Sequence, residues 1–241
     1  RVILFFFGFS SFYISLTVLP LGTATALFFV TPFLITIFAH FFLEEEIGIR
    51  RWSAVVVGFI GVYIALNPDF SNFNYLSLLP ILCAFCYSLS MIIIKKTSDK
   101  DSVYTQTFTF YIGAIILSII FYFIIGEGQY NTSDHPASQF IFREWFVDFK
   151  SNILLMSITG VTATVAFLFL FTAYSIASPS VISPFEYSIL FWSPLVGWLY
   201  FDEIPTLSTV IGILIIVSSG IYIFIREKAQ DQSIATEKPL R

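Results

Sequence analysis

The sequence predicts an all-α polytopic membrane protein, and three observations carry that prediction. Of the 241 residues, 57% are apolar and only 12% charged, with a mean hydropathy of +0.85. An ordinary soluble domain has about twice that charged fraction, and a soluble fold of this size cannot hide so much apolar side chain behind a polar shell. The apolar residues also form continuous Phe, Ile, Leu and Val runs suited to helical crossings of roughly 20 residues. A β-barrel would instead show alternating segments of about 10 residues.

Pro, Gly, Asn and charge divide the chain into eight expected spans, at 2–19, 23–43, 52–66, 75–94, 103–125, 153–175, 181–201 and 207–225. The first is Phe-rich and carries Tyr13. Arg1 stands one residue before it, too short a basic region for a signal peptide, and no small-x-small cleavage pattern follows. With Arg1 in place of a methionine, the expectation is a fragment or a processed chain. The second span holds Thr31, Pro32, Thr36 and His40 and runs into Glu44-Glu45-Glu46. The third is the shortest, anchored at the interface by Arg50, Arg51 and Trp52. Its small residues Ala54/Gly58 and Gly61/Ala65 recur at four-residue spacing, which permits close packing on another helix or on a second protomer as a homodimer.

The fourth span contains Cys83, Cys86, Tyr87 and Ser88 and stops at Lys95-Lys96. The two cysteines match CxxC by letter, but within a membrane helix they read as packing residues. After the fifth span comes a long loop, 126–151, whose stretch Phe140-Ile-Phe-Arg-Glu-Trp-Phe-Val-Asp-Phe suits a segment lying flat in the interface. Asn131-Thr-Ser within it matches a glycosylation sequon, a short pattern with many chance occurrences. The sixth span carries Thr159, Thr162 and Tyr174, and the seventh Pro184, Glu186, Tyr187, Trp192 and Ser193 before Asp202-Glu203. Both acidic runs precede a helix start, where carboxylates complement the dipole of the helix that follows. The eighth span, with Ser208, Gly212 and Gly220, leads into a polar tail, 226–241.

The basic residues orient these spans. Arg1, Arg50, Arg51, Lys95, Lys96, Lys100, Arg226, Lys228, Lys238 and Arg241 fall on one side, and only Arg143 and Lys150 on the other. By the positive-inside rule the richer side is cytoplasmic and carries both chain ends, as in a plasma or bacterial inner membrane protein. With a net charge of −4, no loop offers a basic surface for nucleic acid. The lipid bilayer and a small-molecule substrate are the expected partners.

The chain also repeats itself. With an offset of 157, Ala24-Thr-Ala-Leu-Phe-Phe-Val-Thr-Pro through Glu44-Glu-Glu-Ile falls on Val181-Ile-Ser-Pro-Phe-Glu-Tyr-Ser-Ile through Phe201-Asp-Glu-Ile. Each copy is a Pro-containing turn, a helix, an acidic pair followed by Ile, and then a helix rich in small residues. The Glu46 loop lies on the cytoplasmic side and the Glu203 loop outside, so the copies run in opposite directions. Inverted repeats of this kind characterise secondary transporters, which enclose a midplane site between two halves. Five helices separate equivalent positions, so a five-helix unit places two helices ahead of Arg1.

These strings resemble a known family. Thr23-Ala-Thr-Ala-Leu-Phe-Phe-Val-Thr-Pro, Glu46 and Arg51-Trp-Ser-Ala-Val-Val-Val-Gly-Phe-Ile-Gly-Val are similar to the first EamA domain of the drug/metabolite transporter superfamily. Ser183-Pro-Phe-Glu-Tyr, Leu199-Tyr-Phe-Asp-Glu-Ile-Pro and Ile211-Gly are similar to the second. The resemblance implies a ten-helix, five-plus-five transporter of small organic metabolites with both ends cytoplasmic. It divides the chain into the last three helices of a first repeat, 1–67, and a complete second repeat, 75–225. A membrane sensor or scaffold that keeps the fold without transporting is the alternative.

Glu186 and His40 are the two ionisable side chains, apart from Tyr and Cys, that the expected spans contain. A charged group at the centre of a membrane helix costs on the order of 2.5 to 3.5 kcal/mol on insertion scales, so it marks a candidate functional site. Glu186, about five residues into its span, suits a proton carrier or a ligand for a cationic substrate group, or alternatively a protonated carboxyl bonded to a neighbouring helix. His40 reads as an interface residue. Pro32 and Pro184 interrupt their helices, which membrane proteins tolerate where the break is packed or lines a cavity. Thr31, Thr36, Tyr13, Tyr87, Thr162, Tyr174, Tyr187 and Trp192 would complete a polar and aromatic substrate site with Glu186, though each hydroxyl can also serve helix-to-helix bonding. No pattern in the sequence suggests an enzyme, a metal centre, a cofactor or a phosphate loop.

Overall fold

The computed structural model describes residues 1–44, 48–66, 74–177, 182, 186 and 188–229, and every regular element among them is a helix. In chain order these are α1 (Val2–Ser15), α2 (Leu21–Phe28), α3 (Thr31–Leu43), α4 (Ile49–Leu66), a 3-10 turn (Tyr75–Leu78) leading into α5 (Leu79–Thr97), α6 (Val103–Ile125), α7 (Pro136–Phe142), α8 (Phe149–Ile176), α9 (Ile189–Phe201) and α10 (Leu207–Ala229). Among the described residues, four stretches are long and apolar enough to cross a membrane: Leu21–Leu43, Tyr75–Thr97, Val103–Ile125 and Phe149–Ile176. The other apolar helices, in α1, α4, α9 and α10, are shorter. The expected last span continues to Ala229, four residues into the stretch read as tail; the rest of that tail lies outside the described residues.

The second span is broken, and its side chains show why. An α-helical residue 32 would donate its N–H to the carbonyl of Phe28, but Pro32 has none to give. The Thr31 hydroxyl donates to the Phe28 carbonyl instead. The chain passes Phe29 and Val30 in a turn and restarts as α3 with Pro32 in its first turn, where the missing N–H costs nothing. The Ser88 hydroxyl of α5 lies 3.2 Å from the Thr31 carbonyl, tying the break to a neighbouring helix.

The two regions aligned by sequence also end alike. α3 and α9 are each 13 residues long, 158 residues apart, and each stops on an acidic residue in the left-handed conformation: Glu44 (φ 58°, ψ 29°) and Asp202 (φ 55°, ψ 25°). Such a residue is the usual means of ending a helix, commonly supplied by Gly. α9 carries a second proline, Pro194, inside the helix. Pro184 lies outside the described residues.

Two tight seams organise the bundle. α4 packs along α10, and a Cβ on Gly212 would come within 2.6 Å of both the Gly61 carbonyl oxygen and the Ala65 Cβ. Gly58 faces the Phe33 ring of α3. The small-residue face of α4, which in sequence suits a second protomer equally well, is therefore filled within the chain. The second seam joins α1 to α5, where a Cβ on Gly8 would lie 2.9 Å from the Cys86 Cβ. Cys83 and Cys86 are buried free thiols, in keeping with packing roles.

The long helices α6 and α8 bury few residues, Gln106, Thr107 and Phe110 on one and Phe171 and Tyr174 on the other, and leave much of their apolar surface exposed, as bilayer-facing helices do. At 28 residues α8 is about 42 Å long. The loop before it does not form one flat segment: α7 ends at Phe142, and the following turn packs Phe146 against Tyr122 of α6, ring centroids 5.2 Å apart. The Arg143 guanidinium sits 4.9 Å over the Phe140 ring.

Candidate functional site

Tyr87 is the ninth of the nineteen residues of α5, so the helix delivers its ring near mid-span. Tyr174 lies in the last turn of α8 and is fully buried. Their hydroxyls converge on one oxygen, Glu186 Oε1, at 2.9 Å from Tyr87 and 2.8 Å from Tyr174. Glu186 itself sits three residues ahead of α9, in a 3-10 conformation; residues 183–185 and 187 around it, on which the expected depth within a continuous helix depends, lie outside the described residues. The positive end of the α9 dipole favours a carboxylate nearby.

Hydrogen bonds to an ionised acceptor are roughly twice as strong as neutral ones. Two phenols on one oxygen therefore hold the carboxylate in place and leave Oε2 outside the pair. The arrangement can accept and release a proton, or take a cationic or hydrogen-donating group of a ligand.

An aromatic cluster surrounds the pair. Phe5 of α1 and Phe28 at the end of α2 meet the Tyr87 ring edge-on, at centroid distances of 5.9 and 5.4 Å. Phe5 also touches Phe110, Phe167 and Phe171 from α6 and α8. Ile35 and Ala39 of α3 and Met91 of α5 close the remaining sides. The site thus draws on helices from both of the aligned regions. The phenylalanines are not distinguishable in the sequence, because the chain has 30 of them and only the fold shows which face inward.

Of the other expected site residues, Thr31 and Thr36 are buried beside this cluster, but their hydroxyls go to the Phe28 and Pro32 carbonyls. They stabilise the helix break. Three residues are not brought to Glu186. Tyr13 is 56% exposed, on the face of α1 away from the buried Phe5, Gly8 and Ser11. Trp192 is likewise 56% exposed, because α9 buries Leu190, Ser193 and Gly197 and one residue of helix turns Trp192 outward. Thr162 is exposed on α8, whose buried residues, Phe171 and Tyr174, lie in its last turns. Tyr187 and Pro184 lie outside the described residues, as do Glu45 and Glu46. His40, in the last turn of α3, is exposed with its ring edge-on to Trp52 at 6.2 Å. No group of three or more His, Cys, Asp or Glu that could hold a metal ion occurs among the described residues.

One long-range contact was not legible in the sequence. Glu203 does not complement the dipole of α10, which follows it; its Oε2 accepts the Leu21 N–H at 2.6 Å, at the start of α2. Within α10's first turn, the Thr209 N–H reaches the Thr206 hydroxyl instead.

Known proteins place these features in context. The chain is 32% identical over 228 residues to an S-adenosylmethionine uptake transporter of Rickettsia prowazekii (strain Madrid E), covering 95% of this chain and 71% of that protein. It is 31% identical over 204 residues to a riboflavin transporter of Vibrio cholerae, covering 85% and 62%, and 28% identical over 235 residues to a riboflavin transporter of Rhizobium johnstonii, covering 98% and 72%. One solved crystal structure shares the fold with a TM-score of 0.57 at 13% identity, covering 94% of this chain and 75% of the other. All three relatives are transporters by name, and the apolar helices make this chain an integral membrane protein. Residues 2–67 and 75–225, which include Glu186 and both of its tyrosines, match the EamA-like transporter family, and the chain belongs to it.

Proposed function

We propose that this protein moves small organic metabolites across a bacterial inner membrane by alternating access, with Glu186 at the centre of the substrate site. The observation that carries the reading is the convergence of Tyr87 and Tyr174 on the half-buried Glu186. A charged carboxylate among aromatic rings is costly unless it serves a ligand or a proton. Tyr87 and Glu186 come from α5 and the approach to α9, while Phe5 and Phe28 come from α1 and α2, so a substrate at Glu186 would touch both aligned regions.

The eight apolar segments are eight spans, with both visible ends cytoplasmic by the charge count. The chain contains part of a first repeat, 1–67, and a second, 75–225, of a ten-helix inverted-repeat transporter. The matched lengths and endings of α3 and α9 support this arrangement. Relatives named for S-adenosylmethionine and for riboflavin make those two compounds the first probes. Glu186 carries the coupling proton: it loads from one side, exchanges against substrate in the site and unloads on the other.

The test is uptake into vesicles by the full-length protein across a pH series. The native protein shows pH-dependent uptake, and Glu186→Gln loses that dependence. A mutant that transports with an unchanged pH profile removes the proton role. The absence of transport of any probe would favour the sensor or scaffold alternative.

A further inference from the structure

The first turn of α2 meets the end of α9 and the start of α10 in a contact unlike the other seams. Glu203 Oε2 accepts the Leu21 N–H, and the Thr23 and Thr209 hydroxyls lie 3.3 Å apart, with Thr206 a further 2.9 Å on. Behind them a Cβ on Gly22 would meet Pro194 at 3.4 Å, and one on Gly197 would meet the Glu203 carboxylate at 3.2 Å. At the contact itself the surfaces are small residues and hydroxyls, while Leu27 of α2 and Leu190 of α9 belong to the buried core beneath it. Deeper in, Ser193 is 7% exposed and its hydroxyl has no hydrogen-bond partner among the described residues. Elsewhere in these helices buried hydroxyls return to their own backbone, as Thr25 of α2 and Ser219 of α10 do. Separation of the seam would give the Ser193 hydroxyl water.

We propose that Glu203 is a latch: its carboxylate on the α2 N-terminus holds one end of the route to Glu186 shut, and it must let go for that end to open. The inference rests on the transport reading above, by whose charge count this is the outer end. A carboxylate on the free N–H groups of a helix start is a charge-assisted contact that breaks and reforms without chemistry. The part that shifts is the first turn of α2, an eight-residue helix whose Ala24, Ala26 and Leu27 are fully buried and which ends at the break at Phe29 and Val30. The last residue of α2, Phe28, packs on Tyr87, which donates to Glu186. Displacement of α2 at the latch therefore reaches the site through one ring contact and one hydrogen bond.

Ser193→Cys in the full-length protein reports the seam, with a membrane-impermeant maleimide added from outside to right-side-out vesicles and the protein lacking this cysteine as background. Labelling is slow with Glu203 present and about tenfold faster in Glu203→Gln, the effect expected from losing one charge-assisted bond. Where Glu203→Gln does not fold, Thr209→Val, which removes the hydroxyl pair and leaves the carboxylate, accelerates labelling in the same direction. An unchanged rate in the folded variants, or acceleration only from the cytoplasmic side, overturns the proposal. Counterflow of both S-adenosylmethionine and riboflavin is measured on the same vesicles. Faster labelling without counterflow in the native protein would reject the transport reading and leave the latch standing.

Discussion

Gly212→Ala tests the packing that holds α4 to α10. The added Cβ would stand 2.6 Å from both the Gly61 carbonyl oxygen and the Ala65 Cβ, and 2.8 Å from the Ala65 nitrogen. Ordinary van der Waals contact for such atoms is about 3.5 to 4.0 Å, so the helices must part by about 1 Å. Two of the three obstacles are backbone atoms, which no rotamer change can move aside. Separation also loosens the Gly61 contacts with Ile215 and Ile216 on the same seam. Overpacking of this kind costs roughly 1 to 3 kcal/mol. At about 2 to 4 °C per kcal/mol for a chain of this size, the melting temperature falls by about 2 to 12 °C. The assay is thermal unfolding of the purified full-length protein in detergent. Gly160→Ala is the matched control: Gly160 also lies within a helix, but a Cβ there meets nothing within 4 Å, so the substitution is neutral or slightly stabilising. Equal melting of Gly212→Ala and the native protein would refute the seam.

Other substitutions probe separate links. Gly58→Ala drives a methyl into the Phe33 ring and lowers the melting temperature, and Phe33→Leu in the same chain recovers part of the loss; a double mutant no more stable than Gly58→Ala would count against this contact. Thr31→Val removes the donor that replaces the absent Pro32 N–H and leaves the Phe28 carbonyl unpaired, at a cost of about 1 to 3 kcal/mol in the same unfolding assay. Tyr87→Phe and Tyr174→Phe each delete one donor to Glu186 and weaken substrate binding by about tenfold in vesicle uptake, while Tyr13→Phe, at an exposed position, leaves uptake unchanged.

Much of this was legible in the sequence, for definite reasons. Apolar run length and turn residues give the helices, and Glu186 stands out because an acid within a membrane span is rare and costly. Its partners were harder to find. Tyr87 and Tyr174 belong to a longer set of hydroxyl and aromatic candidates, and the sequence does not say which face of a helix meets the core when nearly every face is apolar. Tyr13 and Trp192 are aromatic residues at plausible depth, yet the 3.6-residue period turns them away from the faces that carry Phe5 and Ser193. The small residues of α4 signalled close packing correctly, but the partner, Gly212, lies 151 residues from Gly61, and only the fold distinguishes it from a second protomer. Glu203 shows the same difficulty: an acidic residue before a helix suggests a local cap, and its actual acceptor role is 182 residues away.

The central claim is that Glu186, held by two tyrosines, is the working residue of a metabolite transporter. Its most direct test is counterflow in proteoliposomes of the full-length protein, with labelled S-adenosylmethionine and riboflavin as probes, run in parallel for the native chain and Glu186→Gln. The account predicts saturable counterflow of at least one probe by the native protein, varying with pH, and its loss or a flat pH profile in the mutant. Native and mutant proteins exchanging the same probe at equal rates across the same pH range would contradict it.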